Sequence, residues 1–196
     1  MEGANIAQDD WTRAGSGSGI QGLSTTYFVS LTLESAGQIR SRNFYWLSTR
    51  EETIDWARQE EDPSGEYDIS TWAPTKTFAD YTGLNMLPRV DLDATAQYKK
   101  DGQESSTTVT VHNPTSTLAL AVHLKVNKSS SGRVSREGEE DEEILPVLWQ
   151  DNYFALLPGE TRQVTATYRI GDKSKTTPSV EIEGWNINRK TAEVQQ

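Results

Sequence analysis

The chain has 196 residues, with 19 Lys and Arg against 29 Asp and Glu for a formal charge of −10, and a hydrophobic share of 34%. That length allows one or two ordinary domains and excludes a (β/α)8 barrel, which takes roughly 250 residues. The charge has the wrong sign for a nucleic-acid partner, and the absence of cysteine removes disulfides, thiolate metal sites and Cys nucleophiles together.

The first residues are polar, and Gly15 to Gly19 alternate Gly and Ser, so 1–22 is predicted to be a disordered tail. It contains no apolar run that could form a signal-peptide core, and no stretch of about 18 apolar residues follows it. The expectation is a soluble chain with no export signal and no membrane partner.

From Thr25 onward Tyr27, Val29, Leu31 and Leu33 alternate with Phe28, Ser30 and Thr32; a turn at Ser35, Ala36 and Gly37 then leads into 38–47. This predicts a β-hairpin. Aromatic residues at Phe44, Tyr45 and Trp46 point to both faces, as expected of a strand covered on both sides. Ser48 and Thr49 stand three residues before Glu51 and Glu52, and Ile54, Trp56 and Ala57 make a short apolar stripe, predicting a brief helix over 50–58. Loop follows over 60–68. Thr77 with Asp80 predicts a second helical start within 78–87, closed by Pro88, and a domain boundary is placed near Pro88.

Beyond it, apolar residues recur at every second position. Leu92, Ala94, Ala96 and Tyr98 share one face, Leu118, Leu120, Val122, Leu124 and Val126 another, and Val164, Ala166, Tyr168 and Ile170 a third. With runs at 107–111, 145–149, 153–157 and 180–185, about seven strands are separated by turns at Lys100-Asp101-Gly102, Asn113-Pro114 and Pro158-Gly159-Glu160. The fold class is therefore all-β: an immunoglobulin-like antiparallel β-sandwich preceded by a partial sandwich of one hairpin and short helices. The stretch 129–143 interrupts the rhythm, six of its last seven residues being acidic. A solvated loop is the expected reading; a calcium site lacks the required ligand spacing and turn glycine.

Chemistry is sparse. His112 and His123 are the only histidines; His123 falls on the face opposite Val122 and Leu124, and His112 ends a strand beside Asn113-Pro114. No G-x-S-x-G elbow, phosphate-cradling Gly loop or metal-binding His pair is present, and no two carboxylates stand out as a glycosidic pair. Among the six tryptophans, Trp149 and Trp185 lie in sandwich strands. One of them is the candidate for a buried core ring, with a sugar-stacking platform as the competing reading. Asn127-Lys128-Ser129 matches the N-glycosylation acceptor pattern, relevant only to a secreted parent.

Several unbroken stretches carry a resemblance: Thr26 to Leu33 (TYFVSLTL), Ser41 to Ser48 (SRNFYWLS), Phe78 to Pro88 (FADYTGLNMLP), Ile144 to Glu160 (ILPVLWQDNYFALLPGE) and Val180 to Asn186 (VEIEGWN). Together, over roughly 22–187, they resemble the C-terminal β-sandwich region of glycoside hydrolase family 2 exo-β-D-glucosaminidases, with endo-β-mannosidases and β-mannosidases as close relatives. The resemblance implies that 23–88 is the end of the family's fourth domain plus a linker, that 89–188 is its fifth, immunoglobulin-like domain, and that 189–196 is a tail. It also implies that the catalytic glutamates lie on a barrel outside this sequence. No position matches the family's catalytic motifs, so no catalytic, cofactor-binding or metal residue is assigned and no cofactor is expected. The expected function is a non-catalytic accessory region that supports a catalytic barrel, with a free-standing carbohydrate-binding β-sandwich module as the alternative. The expected partners are the catalytic and other domains of a parent glycosidase, itself expected to be secreted, with carbohydrate as a further candidate; oligomeric state is left open. The hairpin 25–47 needs a cover, which the 90–187 sandwich, the 50–58 segment or a second copy could supply.

Overall fold

Strands form where apolar and polar residues alternate. The computed structural model describes residues 23–58, 73–128, 142–170 and 178–195, and the chain divides at Met86–Leu87 into two units. The predicted tail 1–22, the loop over 60–68 and most of the acidic stretch 129–143 lie outside the described residues.

In the first unit β1 (Thr26–Ser35) and β2 (Gln38–Ser48) form an antiparallel hairpin, pairing Tyr27 with Leu47 and Phe28 with Trp46. Its two-residue turn places Ala36 at φ 52° and Gly37 at φ 69°, the double positive φ that matches the twist of the flanking strands. Thr26 anchors the start: its hydroxyl donates to the Asp80 carbonyl, and a Cβ on Gly83 would stand 2.8 Å from its own. Phe28 stacks on Phe44. Tyr45 and Trp46 are nevertheless about half exposed, so the expectation of a strand covered on both sides is corrected.

The helix predicted over 50–58 is not formed. Instead β3 (Thr53–Ile54) pairs with β4 (Thr75–Thr77), and only Trp56–Arg58 makes a 3-10 turn. Two reasons are visible. Thr53 and Ile54 are β-branched and favour a strand, and the Thr53 and Thr77 hydroxyls bond across the pair. The Ser48 hydroxyl, read as a helix cap, accepts from the amides of Arg50 and Asp80. In 78–87 the helical piece is a 3-10 turn, Thr82–Met86, and its cap is Asp80, not Thr77: the Asp80 carboxylate accepts from the Thr82 amide and hydroxyl.

The second unit is a single sheet of eight strands rolled around its core. The strands are β5 (Asp93–Asp101), β6 (Glu104–His112), β7 (Ala119–Lys128), β8 (Val147–Trp149), β9 (Phe154–Leu156), β10 (Thr161–Arg169), β11 (Pro178–Gly184) and β12 (Ile187–Gln195), in the order β8-β10-β6-β5-β12-β11-β7-β9. All neighbours are antiparallel except β12 and β5. Leu92, Val109, Val111, Val122, Leu124, Leu156, Val180, Ile182 and Ile187 are buried in one core cluster. Trp149 packs against that cluster and against a second built from Val126, Ile144, Ala166 and Tyr168. Trp149 is therefore the core ring, while Trp185 is half exposed.

Two differences from the sequence reading concern the ends of strands. The segment 189–196 is not a tail up to Gln195, because β12 continues there and joins β11 to β5. Its apolar signal is weak, since Ile187, Ala192 and Val194 do not keep a strict period of two. The runs around 147 and 154 are two edge strands that are consecutive in sequence, so the chain crosses from one side of the sheet to the other in four residues. Side-chain amides continue both ladders through the crossing. The Thr165 amide donates to Gln150 Oε1 at 3.0 Å, opposite a Gln150 amide bond to the Thr165 carbonyl. Asn152 Oδ1 accepts from the Leu124 amide at 2.9 Å, and its Nδ2 donates to the Leu124 carbonyl at 3.0 Å.

Candidate functional site

Because side chains alternate along a strand, the residues of β7 and β11 that do not enter the core share the outer face of the sheet. The register places His123 beside Glu183 and Lys125 beside Glu181. His123 Nδ1 lies 2.9 Å from Glu183 Oε1, and Lys125 Nζ lies 2.6 Å from the same oxygen and 3.6 Å from Glu181 Oε1. Arg189 on β12 pairs with the other oxygen of Glu181, whose Oε1 makes no hydrogen bond. The ladder thus alternates charge along and across three strands.

Its electrostatics follow from the contacts. The ammonium of Lys125, with a second hydrogen bond from His123, holds the Glu183 carboxyl below the usual carboxylate range. The same contact with Glu183 raises Lys125 above the usual lysine value. In the first unit the Thr82 hydroxyl and amide lower Asp80 in the same way. A general acid for glycoside cleavage needs a carboxyl with its proton held on; Glu183 and Asp80 are both shifted the other way.

One aromatic residue completes this face. Tyr153, in the crossing between β8 and β9, stacks on His123 with ring centroids 4.2 Å apart and planes 12° apart. It has φ 58° and is 66% exposed. The Asn152 side chain that bonds Leu124 also accepts from the Tyr153 amide, so the crossing and the ring are fixed by one residue. Sequence reasoning placed His123 on this outer face but treated Tyr153 as the first residue of a strand. The short spacing between two strand runs, filled by Gln-Asp-Asn-Tyr, is the signal that marks a change of direction.

The other candidates are placed as follows. His112 bonds the Thr161 hydroxyl through Nδ1 at the end of β6. Asn127 of the glycosylation pattern sits within β7, is 4% exposed and leaves Oδ1 unpartnered, so the folded strand does not present it as an acceptor. Among the described residues no group of three or more His, Asp or Glu side chains could hold a metal ion, and no helix is long and apolar enough to cross a membrane.

Residues 70–187 match the family described as the exo-β-D-glucosaminidase Ig-fold domain. An exo-β-D-glucosaminidase of Streptomyces avermitilis is 40% identical over 181 residues, which is 89% of this chain and 18% of that protein. The exo-β-D-glucosaminidase of Amycolatopsis orientalis is 38% identical over 88% of this chain. A more distant match is a mannosylglycoprotein endo-β-mannosidase of Lilium longiflorum, 32% identical over 95 residues. Among solved structures, the Amycolatopsis orientalis exo-chitosanase CsxA in complex with PNP-β-D-glucosamine superposes with a TM-score of 0.75 at 35% identity, covering 92% of this chain and 19% of that one. The chain thus spans less than a fifth of the length of these curated relatives.

Proposed function

We propose, from the premise that this chain belongs to the exo-β-D-glucosaminidase Ig-fold domain family, that it is a non-catalytic accessory region of a chitosan-degrading glycosidase. Its role is structural support of a catalytic barrel carried on other polypeptide. The observation that carries the reading is the coverage: relatives with that activity match nearly all of this chain with less than a fifth of their own. The charged ladder supports it too, because Glu181 and Glu183 are committed to Lys125, Arg189 and His123. Two carboxyls used that way are not free to flank a glycosidic bond.

In this reading 23–88 is the end of one sandwich domain with its linker, and the strands from Asp93 to Gln195 are the immunoglobulin-like domain that follows. The partners are the catalytic and other domains of the parent. Purified chain assayed on p-nitrophenyl β-glucosaminide and β-mannoside should give no turnover above a buffer blank. Hydrolysis that persists through purification and is lost when Glu183 is changed to Gln would overturn the reading.

A further inference from the structure

Tyr153 is built more rigidly than its exposure requires. A bulky residue at φ 58° is strained, and a ring 66% exposed gives the core little in return. Yet its backbone is fixed through Asn152, which also holds β7. One face of the ring lies on His123, His123 is held by Glu183, and Glu183 is held by Lys125. The arrangement presents the other face of a pre-oriented aromatic ring on the outer side of the sheet.

An aromatic face carries negative charge density, so it attracts polarised C–H bonds and, more strongly, cations. A β-linked glucosamine oligomer offers both, a flat pyranose C–H surface and an ammonium on each ring. The chain's formal charge of −10 attracts such a polycation and repels anionic saccharides. Glu183, bonded to His123 and paired with Lys125, orients the stack and adds no free charge beside it. We infer that Tyr153, backed by His123, is a binding platform for β-linked glucosamine oligomers; the identity of the sugar rests on the family premise above.

The test is a titration of the full ¹⁵N-labelled chain with glucosamine tetramer, read at the Tyr153 and His123 amides, with N-acetylglucosamine tetramer and cellotetraose as neutral arms. The cationic tetramer should shift both amides, and its affinity should fall as salt rises. Tyr153→Ala should weaken it by about fivefold or more, the loss expected for one stacked ring. Tyr153→Gly, which accepts the positive φ without strain, should weaken it likewise and guards against a folding artefact. Unmoved Tyr153 and His123 resonances, unchanged affinity in both variants, or equal binding of the neutral tetramers would each overturn the proposal. Such failures leave the accessory reading standing, whereas hydrolysis of the tetramer would sink that reading and not this one.

Discussion

Replacing Asn152 with Ala removes the two hydrogen bonds by which a side chain stands in for a strand. The Leu124 amide and carbonyl, 2.9 and 3.0 Å from Asn152, lose their partners on that side of β7, at a residue only 1% exposed. A net hydrogen bond contributes about 1 kcal/mol, and a buried group left unpaired costs about 1–3 kcal/mol. With two groups affected and the site partly open to water, the expected loss is about 2–4 kcal/mol. Asn152→Asp keeps the acceptor but sets a carboxylate against the Leu124 carbonyl, so it should be no milder. The assay is hydrogen exchange on the full chain: protection of the Leu124 amide should fall, together with the denaturation midpoint, at an unchanged denaturant slope. Asn188→Ala is the control, since among the described residues that side chain bonds exposed Arg89 and Asp91, and it should cost within about 0.5 kcal/mol. Native-like protection at Leu124 in Asn152→Ala would refute the ladder argument.

Burial pushes the Tyr168 phenol up to about 12 from 10.0, against the opposing hydrogen bond with Thr107. The unfolded chain therefore ionises first as pH rises, and about 2–3 kcal/mol of stability should drain away between pH 10 and 12; Tyr168→Phe should flatten that limb of a stability-versus-pH curve. Glu183 has the opposite sign. Its contribution is present above its ordinary value of 4.5 and is lost as pH falls through the lower folded value, so Glu183→Gln should reduce the acid sensitivity of unfolding below that point. Gly184→Ala would bring a Cβ within 2.8 and 3.0 Å of the Ala121 and Leu120 carbonyl oxygens, and should lower stability by about 3 kcal/mol in denaturant titrations. Tyr153→Gly should leave stability unchanged or raise it by up to about 1 kcal/mol, because the left-handed φ no longer strains a side chain; a clear loss of melting temperature would contradict the strain.

The sandwich was legible in the sequence because its strands hide one face each, and the clean alternation at 118–126 and 164–170 survives in the buried and half-buried sides of β7 and β10. β12 was missed because it is interior to the sheet yet carries Arg189, Lys190 and Thr191: a polar strand covered by neighbours on both edges has no apolar period to read. Lys190 instead reaches the Leu92 carbonyl. The short helix over 50–58 failed for a different reason. A nine-residue stripe is too short to nucleate on propensity alone, and the partner that turned Thr53 and Ile54 into a strand lies more than twenty residues away. The outer-face cluster was half legible: alternation sets His123 outward, but no local pattern announces that Glu183, sixty residues later, and Tyr153 converge on it.

Placing β12 between β11 and β5 gives the sheet an order of assembly. Among the described residues the two halves of the ladder, β8-β10-β6-β5 and β11-β7-β9, are joined edge to edge only through residues 187–195. On a ribosome, everything from Asp93 onward must therefore wait as two open-edged fragments until those residues emerge. Removing the three that pair with β5, Glu193 to Gln195, leaves that side of the seam to the Val90 bonds with Asn186 and Asn188 and the Lys190 bond to Leu92, and should expose a strand edge of β5 for quality-control proteases or aggregation to find.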